Sequence, residues 1–473
     1  MKPTLKRPTI DSVTTINTDG SHYILHPADV HGRFTVTRRL FALCLIAVYV
    51  LLPWIPINGN PAVFLDVENR RFHLFGLTFL AQDLWLAFFV VSGVGFALFY
   101  LTALFGRLWC GWACPYTVFL EHVVRRLERW IEGDAASRRR LDNAPWNSAK
   151  ILRRGLKLLA FFLAALVIAH FFLAYFVSLP GLWRMMVHNP LDHWMAFSVV
   201  MFLTVALFFC FSWFREQFCI VLCPYGRIQS ALTDDHTLTV GYDKGRGEPR
   251  GKAGSPGAGD CINCLRCVQV CPTGIDIRNG LQLECIGCSA CIDACNDIMT
   301  KLDRPRGLVR YDSMQGLQGK KTRWIRPRIV AYTVLMAVGA LALGLTMRRL
   351  HGFQATLTRM TGAPYYVGEA GVRNQFQLRI INKQQTEQEY RITLEKAPEA
   401  TLLGGLSGSL KVAPQSEQQQ VVMIEIPRAV YAGKQSMQIS VINEAMQDTQ
   451  VIEFEFTGPN PRLLTEDINK KTP

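Results

Sequence analysis

The chain has 473 residues, carries a formal net charge of +14 and is 49% hydrophobic, with 28 Phe and 10 Trp. This apolar content is high for a soluble enzyme, and the length suggests about three domains of the usual size of ~150 residues. A wholly soluble enzyme is therefore disfavoured. The positive charge is explained by an anionic membrane surface, and no motif supports nucleic-acid binding.

Five apolar runs have the length of a membrane-spanning helix and almost no charged residues. One such run fits the core of a soluble protein, but five runs of 18 to 22 residues favour a multi-pass membrane protein in contact with lipid. The first run follows a polar head without a convincing cleavage site, which indicates a retained anchor. We predict spans at 40–57, 84–105, 158–179, 194–214 and 329–347.

Lysine and arginine predict the orientation of these spans. They are numerous in the head at 1–39, between spans two and three, and between spans four and five, and sparse in the other two loops. The positive-inside rule then places the head and the two basic loops in the cytoplasm, and the segment after span five in the periplasm of a bacterial inner membrane. That segment contains no cysteine, which excludes a disulfide scaffold there.

A cysteine motif is repeated after spans two and four. The stretches RLWCGWACPYT and EQFCIVLCPYG both read C-x3-C-P-Y. If a helix continues through each motif, its two cysteines share one face and the proline marks a kink or a restart. Arg107 and Arg215, just upstream, would favour thiolates. Packing of reduced thiols and an additional redox centre are alternatives, but soft ligands suit cuprous copper. We predict catalytic copper ligands at Cys110, Cys114, Cys219 and Cys223.

The stretch 261–296 holds eight of the fourteen cysteines. It reads C-x2-C-x2-C-x3-C-P and then repeats this spacing, with Asn296 where proline would be. Bacterial two-cluster ferredoxins have this pattern, in which three close thiolates and one from the other motif bind each 4Fe-4S cluster. Zinc is the competing interpretation, but it has no use for this spacing. We predict two ligand sets: Cys261, Cys264, Cys267 and Cys295, and Cys285, Cys288, Cys291 and Cys271.

The segments around this stretch complete the predicted domain organisation. The run GYDKGRGEPRGKAGSPGAGD is rich in glycine and predicts a flexible basic linker. After span five, alternating stretches such as NQFQLRIIN and VIEFEF predict an immunoglobulin-like β-sandwich without a disulfide. The predicted domains are a cytoplasmic segment at 1–39, four spans with both motifs at 40–240, the linker at 241–260, a cytoplasmic ferredoxin-like module at 261–326, span five at 327–349 and a periplasmic sandwich at 350–473.

The whole arrangement resembles the CcoG family, also called FixG or RdxA. The resemblance rests on the two C-x3-C-P repeats, the two-cluster module after GRGEPRGK, the downstream RYDS, the five spans and the strand-rich tail. It implies cupric reductase activity, in which electrons from the iron-sulfur clusters reduce copper for the assembly of a cbb-type heme-copper oxidase. It therefore implies oxidase subunits or assembly factors as partners, together with copper ions and an unidentified electron donor.

Three other functions stay open at this point. They are a quinol-linked electron-transfer subunit of a respiratory system, a non-enzymatic scaffold for oxidase assembly, and a copper chaperone without redox action. A homodimer is also left open. Three residues within the predicted spans, His170, Cys44 and Cys210, are interpreted as packing or hydrogen-bonded groups rather than as ligands.

Overall fold

The structure, a computed structural model, describes residues 15, 22–80, 83–347, 352–395, 401–403 and 409–462. Most of the predicted head, at 1–14 and 16–21, lies outside the described residues. The α-helices are α1 (Arg33–Leu51), α2 (Leu84–Phe105), α3 (Leu108–Trp112), α4 (Pro115–Phe119), α5 (Arg125–Glu132), α6 (Ala135–Asn143), α7 (Ser148–Val177), α8 (Leu179–Val187), α9 (Trp194–Phe209), α10 (Pro224–Leu232), α11 (Lys244–Gly247), α12 (Arg266–Gln269), α13 (Ala290–Lys301), α14 (Met314–Leu317) and α15 (Pro327–Met347).

Short helical turns and β-strands fill much of the remaining chain. Single π-helical turns lie at Leu120–Val124, Cys210–Phe214 and Phe218–Leu222, and 3-10 turns at Leu52–Trp54, Pro190–His193 and Ile277–Asn279. The strands are β1 (Pro56–Ile57), β2 (Asn60–Pro61), β3 (Val63–Asp66), β4 (Arg71–Leu74), β5 (Leu77–Leu80), β6 (Thr239–Tyr242), β7 (Val309–Asp312), β8 (Phe353–Arg359), β9 (Tyr366–Val367), β10 (Gly371–Asn382), β11 (Gln388–Glu395), β12 (Thr401–Leu403), β13 (Ser409–Val412), β14 (Glu417–Pro427), β15 (Gln435–Asn443) and β16 (Asp448–Phe456).

Among the described residues, five helices are long and apolar enough to cross a membrane, as the sequence predicts. They run at Arg33–Trp54, Trp85–Phe105, Ser148–Val177, Pro190–Phe214 and Pro327–Met347. The first and third begin well before the predicted 40 and 158, because hydropathy detects only the apolar part of a helix. The third continues upstream through basic turns to Asn147, whose side chain caps the helix by accepting from the Lys150 amide.

The chain divides into two compact units. The first comprises the described residues of 1–56, 61–70 and 82–343, and the second those of 57–60, 71–81 and 344–473. In the first unit, α7 and α9 pack through small side chains such as Ala169 and Ala174, both fully buried. Small residues let two membrane helices approach closely.

The structure corrects the predicted flexible linker at 241–260. Its first residues belong to β6, which pairs antiparallel with β7 beyond the cysteine motifs, and Tyr242 packs with Cys261 and Cys267. Asp243 then caps α11 by accepting from the Arg246 amide. The glycine-rich composition hid the strand because the apolar residues that define it, such as Val240, lie just before or at the start of the segment. The two cysteine motifs therefore lie between two strands that pair with each other, β6 before them and β7 after them.

The second unit contains the predicted immunoglobulin-like sandwich. One sheet has the order β12-β14-β10-β8 with β9 beside β10, and the other has the order β13-β11-β15-β16. The alternation seen in the sequence places Phe376, Leu378 and Ile380 in the buried core, since successive strand residues point to opposite faces. In this core, Phe353 packs on Tyr390 with ring centroids 4.9 Å apart.

Candidate functional site

The two C-x3-C-P repeats have matching backbone conformations where each begins and ends, although the turn between is α-helical in the first and π-helical in the second. Each chain segment leaves its long helix through a residue with positive φ, Gly106 at 56° in the first repeat and Arg215 at 46° in the second. The second cysteine of each motif is then extended, with φ and ψ of −58° and 121° at Cys114 and −68° and 113° at Cys223. The following proline begins a new helix in both cases, so the proline restarts the helix.

The four cysteines of the two repeats lie within electrostatic reach of one another. Burial raises the pKa of Cys110 to about 11, against the lowering effect of Arg107, and the charges of Cys114 and Cys223 raise it further. Burial likewise raises the pKa of Cys219 to about 12, with added repulsion from the other three. The predicted thiolate-favouring role is therefore outweighed at Cys110, because desolvation exceeds the field of Arg107. These two groups bind a metal only with loss of a proton.

Two tyrosines connect the repeats to each other. Tyr116, after the first motif, donates to the Arg215 carbonyl at 2.6 Å, which is where the fourth span ends. Tyr225, at the matching position after the second motif, is hydrogen-bonded to Thr102 in the second span at 2.6 Å. This reciprocal exchange fixes the two motifs against each other and keeps the four cysteines within electrostatic reach.

The ferredoxin-type cysteines line two separate cavities. One cavity is bordered by Cys261, Cys264, Cys267 and Cys295. The second is bordered by Cys271, Cys285, Cys288 and Cys291, with Cys267 between the two. This division follows the two predicted ligand sets, in which the last cysteine of each motif faces the other motif. The donor set and its grouping fit two cubanes.

Burial governs the protonation of these cysteines too. Desolvation raises the pKa of Cys267 and Cys285 to about 12, and that of Cys288 and Cys295 to about 11. Among the described residues, the four cysteines of the repeats included, no three His, Cys, Asp or Glu side chains are close enough to hold a single metal ion. A cubane separates its ligands more widely, because each thiolate binds its own iron. The eight cysteines fit clusters better than they fit single ions.

The first C-x3-C-P motif packs directly on the loop of the second cavity. A Cβ added at Gly111 would lie 2.5 Å from the Ile286 carbonyl oxygen and 2.9 Å from the Cys288 nitrogen. The Trp112 indole donates to the Gly287 carbonyl at 3.3 Å, and Cys110 is buried in the same apolar cluster as Cys288. The candidate copper cysteines and the candidate cluster cysteines are thus adjacent.

Asp293, within the second ferredoxin motif, holds this module to the first long helix. Its carboxylate accepts from the amide and the hydroxyl of Thr35, both at 2.7 Å, and from the Phe34 amide. These amides belong to the first turn of α1, where backbone donors lack helical partners. A Cβ on Gly32 would overlap the Asp293 carboxyl group, so glycine is required at this approach.

Asn296 explains the departure from the ferredoxin proline. It lies inside α13, a helix of 12 residues, and its side chain accepts from the Gly307 amide at 2.9 Å. A proline in this interior position would break the helix. In the first motif, by contrast, the chain turns directly after Cys271, and Pro272 fits there.

A buried ion network joins the helices around the two repeats. Both oxygens of Glu128 in α5 accept from Arg215, at 3.1 and 2.8 Å, and one also pairs with Arg138 at 3.1 Å. Glu128 and Arg215 are almost fully buried. Burial alone raises the pKa of Glu128, but Arg215 together with Lys157 and Arg138 holds it well below its usual value. Arg215 therefore serves this network instead of activating a thiol.

The sequence identified the cysteines, but it did not predict most of the contacts between distant segments. The one signal available for Gly111 was the internal repeat, since Ile220 occupies the matching position after Cys219. His170 bonds its own helix through Nδ1 and the Leu166 carbonyl at 2.8 Å, and Cys44 is exposed on α1. Neither residue lies with the eight ferredoxin-type cysteines or with the four cysteines of the repeats.

Three family models match the chain. A "4Fe-4S binding domain" matches residues 85–132, a "4Fe-4S dicluster domain" matches 214–314, and "IG-like fold at C-terminal of FixG" matches 343–459. The chain therefore contains two 4Fe-4S binding domains and an immunoglobulin-like domain, in addition to its five candidate membrane helices.

Several curated proteins are similar to the chain along most of its length. Protein RdxA of Cereibacter sphaeroides is 35% identical over 78% of this chain and 82% of its own length. Nitrogen fixation protein FixG of Rhizobium meliloti is 30% identical over 92% of this chain and 93% of its own. A solved structure of a FixG-related protein from Vibrio parahaemolyticus aligns with 23% of this chain and 97% of that one, at 18% identity and a TM-score of 0.21.

Proposed function

Because the chain belongs to the FixG/RdxA family of iron-sulfur electron-transfer proteins, we propose that it reduces cupric to cuprous ion at the four cysteines of the C-x3-C-P repeats. The observation that carries the proposal is the contact of Gly111 with the backbone of Ile286 and Cys288. This contact sets Cys110 against the loop that carries two of the predicted cluster ligands, Cys285 and Cys288. The cuprous product would serve the assembly of a cbb-type heme-copper oxidase, as the family resemblance implies.

The chemistry requires one electron and soft ligands. Cupric ion gains one electron and becomes cuprous, without bond cleavage in the substrate. The two 4Fe-4S clusters, when bound by the two predicted cysteine sets, supply single electrons. Sulfur ligands favour the cuprous state, so Cys110, Cys114, Cys219 and Cys223 would stabilise the product. Binding by three or more of them would require the ion to draw them closer than they lie in this structure. Because Cys110 and Cys219 have raised pKa values, the proposed copper binding releases their protons.

The proposed orientation follows the distribution of basic residues. We place the amino terminus, both C-x3-C-P motifs and the ferredoxin-like module on the cytoplasmic side of a bacterial inner membrane, and the immunoglobulin-like domain in the periplasm. Oxidase subunits or assembly factors would then meet the periplasmic domain, and an electron donor would approach from the cytoplasm or the membrane. Accessibility labelling of a cysteine introduced by Lys301→Cys, at an exposed position of α13, tests the cytoplasmic placement in intact and permeabilised cells.

The decisive experiment replaces the four cysteines together. We expect the variant Cys110→Ser/Cys114→Ser/Cys219→Ser/Cys223→Ser to keep the cluster spectrum and to lose reduction of cupric ion by at least a hundredfold. The measurement is anaerobic reoxidation of reduced clusters on addition of cupric ion, followed together with a cuprous-specific chelator. Cys44→Ser is the matched control, because Cys44 is exposed on α1 and should leave the rate unchanged. Equal rates in the quadruple variant and the wild type would remove these cysteines from the mechanism.

A second candidate is electron transfer to another acceptor, with the same four cysteines holding a further iron-sulfur centre. It is favoured by the match of residues 85–132, which contain Cys110 and Cys114, to a 4Fe-4S binding domain. Metal analysis of the anaerobically purified protein separates the two. Two cubanes give about eight iron atoms per chain, and a third gives about twelve. The quadruple variant would then lose about four iron atoms and change its cluster spectrum.

A further inference from the structure

A polar cavity lies beside the ferredoxin-like module, within the first unit. Its lining includes Pro272 after the first cysteine motif, Ala290 at the start of α13, and residues of α1 and α5. The charged side chains of the lining are strongly unequal in sign. Two are carboxylates, Asp29 and Glu121, and six are guanidinium groups: Arg38, Arg39, Arg125, Arg126, Arg129 and Arg138.

Three of the six arginines are neutralised by carboxylates. Arg125 pairs with Glu121 at 2.6 Å and with Glu216 at 3.0 Å. Arg129 pairs with Asp29, and Arg138 pairs with Glu128 at 3.1 Å. Each pairing leaves little positive charge for a ligand.

The other three arginines have no carboxylate partner among the described residues. Arg39 and Arg126 are partly exposed and form no ion pair there. Arg38 is only 8% exposed and donates from Nε to the Gly111 carbonyl at 2.6 Å, while its Nη2 is buried without a hydrogen-bond partner. A buried charged donor left unpaired is costly, so an anion in the cavity would satisfy it.

We propose that this cavity binds a phosphate group. Three unpaired guanidinium groups around one cavity match the charge of a phosphate and its several acceptor oxygens, which arginine binds with paired donors. Arg38 and Arg39 immediately precede the apolar part of the first span, which begins at Leu40, and this would set them near phospholipid headgroups. The phosphate belongs either to an anionic lipid or to a soluble molecule. This site does not depend on copper reduction and shares no residue with the four proposed copper ligands.

The test is a titration of the full chain in detergent, read by native mass spectrometry. Short-chain phosphatidylglycerol is added in one arm and inorganic phosphate in the other. We expect one phosphate-bearing molecule to bind per chain. Tighter binding of phosphatidylglycerol would identify the ligand as a lipid, and tighter binding of inorganic phosphate would identify it as a soluble molecule. In Arg39→Gln/Arg126→Gln the affinity should fall about a hundredfold, since each charge-assisted hydrogen bond is worth about tenfold.

Matched variants keep the outcome decisive. Arg139→Gln/Arg140→Gln removes the same charge from exposed positions of α6 outside the cavity and should bind as the wild type does. Arg38→Gln should weaken binding at least tenfold, and if it fails to fold, the Arg39/Arg126 variant still decides. Binding of neither probe by the wild type, or equal binding by the wild type and the Arg39/Arg126 variant, would overturn the proposal.

Discussion

Gly111 and Ile220 occupy the same place in the two repeats, one residue after the first cysteine, but they meet different surroundings. Gly111 touches the backbone of the loop at 286–288, where no side chain fits. Ile220 lies in a π-helical turn whose neighbours Val221 and Leu222 are exposed. The repeats therefore differ at this position, where the glycine of the first repeat allows a close approach to the ferredoxin-like module.

The two repeats also differ in the residue with positive φ that precedes each motif. Gly106 in the first repeat adopts its conformation without strain, but Arg215 in the second takes a left-handed φ that disfavours a side chain by about 1–2 kcal/mol. The ion pair of Arg215 with Glu128 offsets this strain. The two repeats thus keep the same positive φ at this position but form different contacts there. The glycine of the first copy packs on the module, and the arginine of the second pairs with α5.

The largest expected effect comes from breaking the link between the two repeats. Glu128→Gln leaves Arg215 and Arg138 buried without their carboxylate, and we expect a loss of about 3–5 kcal/mol in the free energy of unfolding. Because the folded pKa of Glu128 is lowered, its contribution is present above the unfolded value near ~4.3 and is lost as the pH falls below it. The stability difference between the variant and the wild type should therefore shrink in acid.

Thermal unfolding in detergent across this pH range measures the effect. Glu444→Gln is the control, because Glu444 pairs with Arg391 at an exposed position and should contribute at most about 1 kcal/mol. If Glu128→Gln destabilises no more than Glu444→Gln, the buried network does not join the repeats as described.

A smaller effect is expected from making the first repeat resemble the second. Gly111→Ala places a methyl group against the backbone at 286–288 and should destabilise this contact by about 1–3 kcal/mol. Hydrogen exchange of the amides at 286–288 is the measurement, with the cluster spectrum recorded in parallel. Gly155→Ala, within a long helix and with nothing within 4 Å of the added methyl, is the control. Unchanged exchange in Gly111→Ala would show that the module does not need this close approach.

The smallest effect isolates the polar part of the same contact. Trp112→Phe keeps the aromatic ring but removes the donor to the Gly287 carbonyl, which we expect to lower the free energy of unfolding by about 0.5–1.5 kcal/mol. The matching change in the second repeat, Val221→Ala, removes no hydrogen bond. Equal losses in the two variants, measured by thermal unfolding, would mean that packing alone distinguishes the repeats.

The sequence predicted the elements whose signal is local. Hydropathy located five spans, alternation located the sandwich, and cysteine spacing grouped eight residues that border two cavities. Contacts between distant segments left no such signal: Arg38 and Gly111 are 73 positions apart, and Asp293 caps a helix that begins 260 positions earlier. The segment after 240 was assigned to a linker because its glycines outweighed a short strand whose partner lies beyond the cysteines.

The capping of α1 by Asp293 has a consequence for synthesis of the protein. The first helix leaves the ribosome long before residue 293, so its initial amides must rely on water until the second ferredoxin motif has been made. The module and the first helix then complete each other late in translation. A chain whose cysteine module failed to fold would therefore leave the first amides of its amino-terminal helix uncapped.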